Sequence, residues 1–324
     1  MSDRYVQPLR ILIQFSFFCL IIWLSFRFFQ FVQYFRSNGT TAYAARPDGI
    51  EAFLPISGLL GLSAWFKGMG INPIHPAALV LFLTILVTSL LLRRSFCSFI
   101  CPVATISECS WKTGYKVLHR NFRAPAWLDL ILRAVKYMLL AFFLYSISFA
   151  MSPAELRDFI MSDYHRVADV RLLDFFLNLT PFALGIIILL IITSLLLKNP
   201  FCRYLCPYGA LLGLLAMLSP LRVTRNIERC VSCGACSAVC PSYLDVMHKK
   251  SVISPECIGC WRCISHCRAD GALSMRFFGR TAVSGILFVF LVLLVFWGGR
   301  AVGIQTGHWK TSLDSAEYSR LLGR

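Results

Sequence analysis

The sequence predicts a mainly α-helical, polytopic membrane protein that carries a small inserted α+β module. Two observations predict the membrane part. Hydrophobic residues make up 57% of the 324 residues, with a mean hydropathy of +0.66. These residues are concentrated in a few long runs, as in membrane spans. A third observation predicts the module: eight of the 14 cysteines fall within residues 230–267, between the last two apolar runs.

Five apolar runs each approach the roughly 20 residues that cross a hydrocarbon core. We predict transmembrane helices over about residues 11–31, 76–92, 128–150, 175–197 and 281–297. The first run is too long for the apolar part of a cleavable signal peptide, so none is expected. The Gly-rich segment 56–71 is too short to span. It is either an interfacial or re-entrant segment or a loop packed over helix ends.

The charges predict the orientation. The net charge is +16 although only 15% of the residues are charged. Lys and Arg dominate the loops after the second and fourth runs, whereas the loop between the third and fourth runs is acidic. In a bacterial cytoplasmic (inner) membrane, this places the N-terminus and both basic loops in the cytoplasm, with the C-terminal tail outside. The cations flank apolar runs instead of forming one polar stripe, so binding to nucleic acid is not expected.

The sequence contains an internal repeat. Residues 91–108 (LLRRSFCSFICPVATISE) resemble residues 196–213 (LLKNPFCRYLCPYGALLG), and both segments contain Phe-Cys-x3-Cys-Pro at the end of an apolar run. The repeat predicts two helix hairpins in parallel orientation, which bring four thiols together at the membrane surface: Cys97, Cys101, Cys202 and Cys206. Soft thiolates suit iron–sulfur, Cu(I) or zinc. A redox dithiol and four buried structural cysteines are the other interpretations.

The remaining clustered cysteines form a second repeat, with the spacing C-x2-C-x2-C-x3-C in both copies. This spacing is typical of ferredoxins with two [4Fe–4S] clusters, in which the fourth ligand of each cluster comes from the other copy. The predicted ligands of cluster one are Cys230, Cys233, Cys236 and Cys267, and those of cluster two are Cys257, Cys260, Cys263 and Cys240. Zinc could use the same thiols, but two full tandem copies favour clusters. Because such thiolates need a reducing compartment, the module is expected in the cytoplasm.

We therefore predict four segments. Residues 1–198 form a membrane domain of two repeated hairpins, and residues 199–221 hold the second CxxxCP segment and a linker. Residues 222–280 form a 2[4Fe–4S] ferredoxin domain, and residues 281–324 form the last transmembrane helix and a tail. Cys19 and Cys109 lie outside both repeats and are interpreted as apolar packing residues.

The segments FCSFICP and FCRYLCP, joined to a double-cluster ferredoxin, resemble the NapH/NosR/MauN-type membrane polyferredoxins over most of residues 50–280. The resemblance implies exchange of electrons with the quinone pool. It also implies a redox partner protein, which would be a periplasmic or cytoplasmic reductase or a ferredoxin. The flavin-bearing outer domain of the NosR branch has no counterpart here, so the short NapH-like branch is the better match.

The leading hypothesis is thus a quinol dehydrogenase-type electron-transfer subunit without stand-alone catalysis. It would hold two [4Fe–4S] clusters, with a third metal or cluster as an option at the CxxxCP cysteines. The alternative is an assembly or maturation factor that reduces a metal such as copper for a respiratory enzyme. A redox-sensing regulator has no DNA-binding or signalling segment to support it.

Oxidation of a quinol requires a proton acceptor. His75, at the outer end of the second run, and His165 with Asp163, in the acidic loop, are the candidates. For each histidine, the favoured interpretation is still a loop residue whose hydrogen bonds are satisfied. A reaction at the outer face would require electrons to cross the bilayer, and the sequence contains no haem motif to carry them. A quinone site at the inner face, beside the CxxxCP cysteines, is therefore favoured.

Overall fold

The computed structural model describes residues 5–322. The first four residues of the predicted membrane domain and the last two of the predicted tail lie outside this range. In chain order the helices are α1 (Val6–Arg36), α2 (Pro55–Phe66), α3 (Pro76–Leu92), α4 (Ser95–Phe99), α5 (Pro102–Leu118), α6 (Ala126–Leu144), α7 (Pro153–Met161), α8 (Asp163–Arg166), α9 (Ala168–Leu177), α10 (Pro181–Leu196), α11 (Pro207–Met217), α12 (Ala235–Ala238), α13 (Arg262–Ser265), α14 (Gly285–Gln305) and α15 (Ser315–Leu322). Three strands also occur: β1 (Leu221–Arg225), β2 (Leu273–Phe277) and β3 (Thr281–Val283).

The chain divides into two compact units. The first contains the chain up to Phe18, Ile85–Leu140 and Ile186–Phe296, and the second contains Cys19–Thr84, Ala141–Gly185 and the chain from Trp297. The division falls within five helices, namely α1, α3, α6, α10 and α14. The first unit holds all twelve clustered cysteines, and the second holds His75, Asp163 and His165.

Three helices in the described chain are long and apolar enough to cross a membrane: α1, α6 with its π-helical extension to Ala150, and α14. At 1.5 Å per residue, the 21 residues of α14 extend over about the thickness of the hydrocarbon core. Helix α3 is apolar throughout but has 17 residues, so its length alone does not decide whether it spans. The protein is therefore a mainly helical membrane protein, and the predicted number of five spans stays a prediction.

Two predicted spans begin differently in the structure. The prediction of one continuous helix over residues 175–197 is wrong, because α9 ends at Leu177 and α10 starts at Pro181 after a bend of 81°. Proline is favoured in the first turn of a helix, where its missing N–H is not needed. The last predicted span, 281–297, begins as strand β3, and its helix extends beyond the prediction to Gln305.

The sheet is antiparallel with the order β1-β2-β3. Leu221 pairs with Phe277 and Arg225 with Leu273, which fixes the register of the first two strands. Side chains alternate along both strands, so that Val223 and Met275 are buried while their neighbours face outwards. This sheet supplies the apolar wall behind the cysteine-rich loops.

Candidate functional site

Two cavities in the first unit are each lined by four cysteines. Cys230, Cys233, Cys236 and Cys267 line a cavity with about 330 Å³ of empty space, including its open mouth. Cys240, Cys257, Cys260 and Cys263 line a second cavity of about 400 Å³, measured in the same way. Each cavity thus takes three cysteines from one copy of the repeat and the fourth from the other copy. The structure brings together the same two sets that the sequence predicts.

The backbone of the two cysteine loops repeats as well. Ser232 and Gly259 occupy equivalent positions and both adopt left-handed backbone angles, with φ of 51° and 61°. Gly234 and Trp261 are the next equivalent pair, with φ of 72° and 61°. A left-handed residue turns the chain sharply, which lets cysteines three residues apart face one cavity. At Trp261 a bulky residue takes a conformation that favours glycine, and this is unusual enough to need compensation.

The compensation at Trp261 comes from packing. Its side chain is 1% exposed, it lines the second cavity, and its ring centroid lies 5.5 Å from that of Phe288 on α14. Individual residues that line the two cavities also differ in exposure. Cys240 and Cys260 of the second cavity are buried, whereas Cys233 and its neighbour Val231 at the first cavity are exposed.

The donor sets fit iron–sulfur clusters better than single ions. Within residues 5–322, no three or more His, Cys, Asp or Glu side chains converge on one ion-sized position. The thiols instead surround cavities of several hundred Å³. Burial, with other cysteines nearby, raises the pKa of Cys240 to about 12. A buried thiol of this kind ionises only when a metal stabilises the thiolate.

The two CxxxCP segments share one local geometry. In both, the cysteine before proline takes extended backbone angles at the N-cap, and proline is the first residue of the helix, α5 after Cys101 and α11 after Cys206. The N–H of each of these cysteines donates to the carbonyl of the phenylalanine five residues earlier, at 3.0 Å in both copies. Cys206 Sγ also accepts a hydrogen bond from the Gly209 N–H at 3.2 Å. The sequence repeat is therefore also a structural repeat.

The four CxxxCP thiols lie close enough to affect one another's ionisation. Burial and the neighbouring thiols raise the pKa of Cys101 to about 12 and that of Cys202 well above its usual range. The guanidinium of Arg94 interacts electrostatically with Cys97, Cys202 and Cys206. Gly209 makes room for it, since a Cβ there would lie 2.9 Å from an Arg94 nitrogen and 3.4 Å from Cys206 Sγ.

A buried carboxylate links these thiols to the second cavity. Glu256 directly precedes Cys257, and its side chain accepts a hydrogen bond from Lys136 Nζ at 2.6 Å. Arg94, three residues before Cys97, lies 3.8 Å from the same carboxylate and donates to the Pro255 carbonyl at 2.8 Å. Glu256 and Lys136 are not among the site residues predicted from the sequence. A lysine inside the apolar run 128–150 was the available signal, because intramembrane charges are usually functional or paired.

A second buried charge network lies beside the same cavity. The fully buried guanidinium of Arg10 binds both oxygens of Glu108, at 2.7 and 2.9 Å. Arg262 and Lys112 also pair with Glu108. Burial opposes ionisation of this carboxyl, but the Arg10 interaction outweighs it and holds the pKa of Glu108 well below its usual range. Because Gln7 Nε2 donates to the Cys260 carbonyl at 2.8 Å, helix α1 is fixed against the cysteine loop.

In the second unit the structure brings His75 and His165 together. Their ring centroids are 5.0 Å apart, both side chains are buried, and His75 Nε2 lies 2.9 Å from the His165 carbonyl oxygen. The expected carboxylate partner was wrong: Asp163 is exposed and pairs with Arg320, whereas Glu51 lies 3.6 Å from His75 Nδ1. Arg46 contacts the carboxylates of both Glu51 and Asp169, so Asp169 also belongs to this group. The Arg46–Asp169 pair joins distant parts of the chain, which local sequence cannot show.

Comparison with known proteins matches both cysteine-bearing regions of the chain to iron–sulfur families. The family described as 4Fe-4S binding domain matches residues 74–125 and again residues 179–226, which are the two CxxxCP copies. The 4Fe-4S dicluster domain family matches residues 222–268. The electron transport protein YccM of Escherichia coli strain K12 is 37% identical over 307 residues, which cover 93% of this chain and 86% of YccM. The chain belongs to the same family of ferredoxin-type membrane electron-transport proteins.

More distant members share shorter stretches of the chain. The ferredoxin-type protein NapH of Escherichia coli strain K12 is 25% identical over 187 residues, which are 55% of this chain and 60% of NapH. The methylamine utilization ferredoxin-type protein MauN of Paracoccus denitrificans is 31% identical over 156 residues, 46% of this chain and 48% of MauN. No solved structure matches the chain. The predicted NapH/MauN-type resemblance is confirmed, and this member of the family is a ferredoxin-type iron–sulfur protein of electron transport.

Proposed function

We propose that the protein couples the quinone pool to a redox partner through two [4Fe–4S] clusters. The observation that carries the proposal is the crossed pair of cysteine-lined cavities, because alternating ligand origin is the arrangement of two-cluster ferredoxins. The names of the relatives describe electron transport and ferredoxin-type proteins. They favour this function over the alternative of an assembly or copper-reducing factor.

The proposed ligands follow the cavity linings. Cys230, Cys233, Cys236 and Cys267 would hold one cluster, and Cys257, Cys260, Cys263 and Cys240 the other. When bound, the clusters supply two one-electron carriers, which matches the two electrons that a quinol releases with two protons on oxidation.

The side chains around the second cavity have two tasks. The buried Trp261 ring forms part of the cavity wall, and the buried cations Arg10 and Arg262 stabilise negative charge on the Cys260 thiolate. The first cavity is open to solvent at Cys233. A cluster there could be reached by the partner protein and would be the last carrier on the route. These differences support a direction through the module from the buried site to the exposed site.

We place the quinone reaction beside a four-thiol group, which consists of Cys97, Cys101, Cys202 and Cys206. Glu256 and Arg94 give this group a direct polar connection to Cys257. A third metal or cluster held by the four thiols would continue the same route, and the match of a 4Fe-4S binding family to both copies supports it. His75 and His165 stay the alternative proton acceptors, for a reaction in the second unit.

The proposed setting is a multi-pass protein of the bacterial cytoplasmic membrane with the N-terminus and the cysteine-rich module in the cytoplasm. The basic loops that carry the cysteines support this orientation. We propose five spans, of which α3 and the bent α9–α10 pair are the two that length alone leaves open.

The central experiment follows reduction of the clusters directly. The purified full-length protein, with iron and sulfide measured, is mixed with a reduced menaquinol analogue under anaerobic conditions and examined by EPR. We expect signals of reduced [4Fe–4S] clusters. Intact clusters that stay oxidised would remove quinol from the proposal, while about eight iron atoms per chain would still support two clusters and about twelve would add a third.

The matched variants are Cys97→Ser with Cys202→Ser, and Cys19→Ser with Cys109→Ser as the control. The first pair should lose reduction by quinol while keeping the EPR signals obtained with dithionite. The control pair should behave like the parent protein. Quinol reduction that survives the first pair would place the quinone elsewhere.

A further inference from the structure

The outward face of the small sheet carries two arginines with no counter-charge. Arg222 of β1 lies directly opposite Arg276 of β2, and Ala282 of β3 completes the row. Directly opposite residues project from the same face with Cβ atoms about 5 Å apart, and like charges there destabilise a sheet. Among residues 5–322, every ion pair involves residues other than these two.

The Arg222 side chain also has an unsatisfied donor. Its Nε is buried and has no hydrogen-bond partner in the described chain, whereas Arg276 Nε donates to Ser274 Oγ at 3.1 Å. Two neighbouring guanidinium groups without a carboxylate form a site for an anion. Their planar donor forks suit the oxygens of a phosphate.

The turn after Arg276 exposes apolar side chains. Phe277 is 47% exposed and Phe278 is 66% exposed, and Phe278 holds a left-handed backbone with φ of 46°. The Phe278 N–H donates to the Pro220 carbonyl at 2.7 Å, which places the turn beside the end of α11, where Leu218 is 70% exposed. The Phe278 ring packs on the Phe277 ring, with centroids 4.8 Å apart, and the pair leaves a large apolar area facing solvent. Such an exposed apolar area is typical of a surface that contacts a partner or a membrane.

The chain enters the membrane next to this surface. Strand β3 ends at Val283, and α14, one of the three helices long enough to span, begins at Gly285. The two arginines on the outward face of the sheet and the exposed apolar side chains at its end, Phe277, Phe278 and Leu218, therefore lie near the start of a span. This combination is typical of the headgroup layer of a bilayer.

We propose that Arg222 and Arg276 bind the phosphate of an anionic phospholipid while Phe277, Phe278 and Leu218 enter the interfacial layer. The lipid supplies the negative charge that the sheet lacks. It also fixes the sheet at the membrane surface, and Val223 and Leu273 of this sheet line the two cysteine cavities. The proposal does not depend on the quinone or on the clusters.

The experiment compares full-length protein in nanodiscs of phosphatidylcholine alone and of phosphatidylcholine with phosphatidylglycerol. Hydrogen exchange of residues 276–280 is measured by mass spectrometry, and retained lipid is counted by native mass spectrometry. We expect phosphatidylglycerol to slow exchange and to be retained. Arg222→Gln and Arg276→Gln should each weaken its retention about fivefold.

The controls separate this site from general attraction. Lys249→Gln with Lys250→Gln removes two exposed charges of the same module and should leave lipid retention unchanged. Arg222→Lys with Arg276→Lys should retain part of the effect and reports on folding. Equal lipid loss in the lysine-to-glutamine control, or protection of residues 276–280 by an acidic peptide but not by phosphatidylglycerol, overturns the proposal. Missing iron in a protein that still binds the lipid would count against the proposed function alone.

Discussion

The carboxylate of Glu256 accepts a hydrogen bond from the Lys136 ammonium at 2.6 Å, and both side chains are buried. Lys136 lies on α6, and Glu256 lies one residue before a cysteine of the second cavity. This ion pair joins an apolar helix to the cysteine loop. Its loss should therefore be seen both in stability and in the retention of iron.

Glu256→Gln should destabilise the protein by about 3–5 kcal/mol, because it leaves Lys136 buried without a counter-charge. Lys136→Met combined with Glu256→Gln should recover part of the loss, since the buried ammonium is then gone and only the Arg94 guanidinium still lacks its contact with the carboxylate. Thermal unfolding in one detergent measures both. Arg320→Gln is the control, because its pair with Asp163 is exposed and should contribute at most about 1 kcal/mol. Equal effects of the buried and the exposed variants would contradict this account.

Single cysteine variants test the crossed ligand sets. Cys267→Ser should remove the same EPR signal as Cys230→Ser, although Cys267 lies in the other copy of the repeat. Cys240→Ser should instead resemble Cys257→Ser. Each variant should keep about four of about eight iron atoms. If Cys240→Ser and Cys230→Ser affected one signal, each cluster would be held by a single copy.

Two glycines offer a matched test of helix packing. A Cβ at Gly114 of α5 would lie 1.8 Å from the Leu195 carbonyl oxygen of α10, whereas a Cβ at Gly185 of α10 would meet nothing within 4 Å. Gly114→Ala should destabilise by about 1–3 kcal/mol through overpacking. Gly185→Ala should stabilise by about 0.5–1 kcal/mol through helix propensity. Their unfolding temperatures should move in opposite directions, and a neutral Gly114→Ala would show that α5 and α10 can separate freely.

The buried histidines make stability depend on pH. Burial and the neighbouring His75 lower the pKa of His165 to about 4. An unfolded histidine titrates near 6.5, so the unfolded state gains protons first, and stability falls as pH drops from about 6.5 to about 4. For His75, burial opposes protonation but the Glu51 carboxylate outweighs it and raises the pKa, which stabilises the fold below about pH 6.5.

His165→Leu should therefore reduce the loss of unfolding free energy between about pH 6.5 and about pH 4 by on the order of 3 kcal/mol. His75→Leu should make the loss of stability in acid steeper. Unfolding by denaturant at several pH values, with Arg320→Gln as the control, measures the difference. Parallel curves for the two histidine variants would show that neither shift contributes.

The cysteine sites were predictable because their spacing is local. Three cysteines at every third residue can face one cavity only if the intervening residues turn sharply, and Ser232 and Gly234 do so. The partner of His165 was not predictable, since His75 lies 90 residues away along the chain. The carboxylate beside this pair is Glu51, which contacts His75, and not Asp163, the neighbour of His165 in sequence. The 81° bend before Pro181 was also hidden, because apolar residues on both sides give one uninterrupted hydropathy signal.

Gly234 and Trp261 occupy equivalent positions with left-handed backbone angles, but their side chains make the two cysteine loops different. The first loop has open space at this position, since a Cβ on Gly234 would come no closer than 4.0 Å to Met247. In the second loop the equivalent residue is Trp261, whose large ring packs against Phe288. A chimera carrying two copies of the first loop would keep every thiol, but the wall of the second cavity would lose the Trp261 ring. The duplicated segment has thus become one loop facing water and one facing a membrane helix, and each can now change only within its own surroundings.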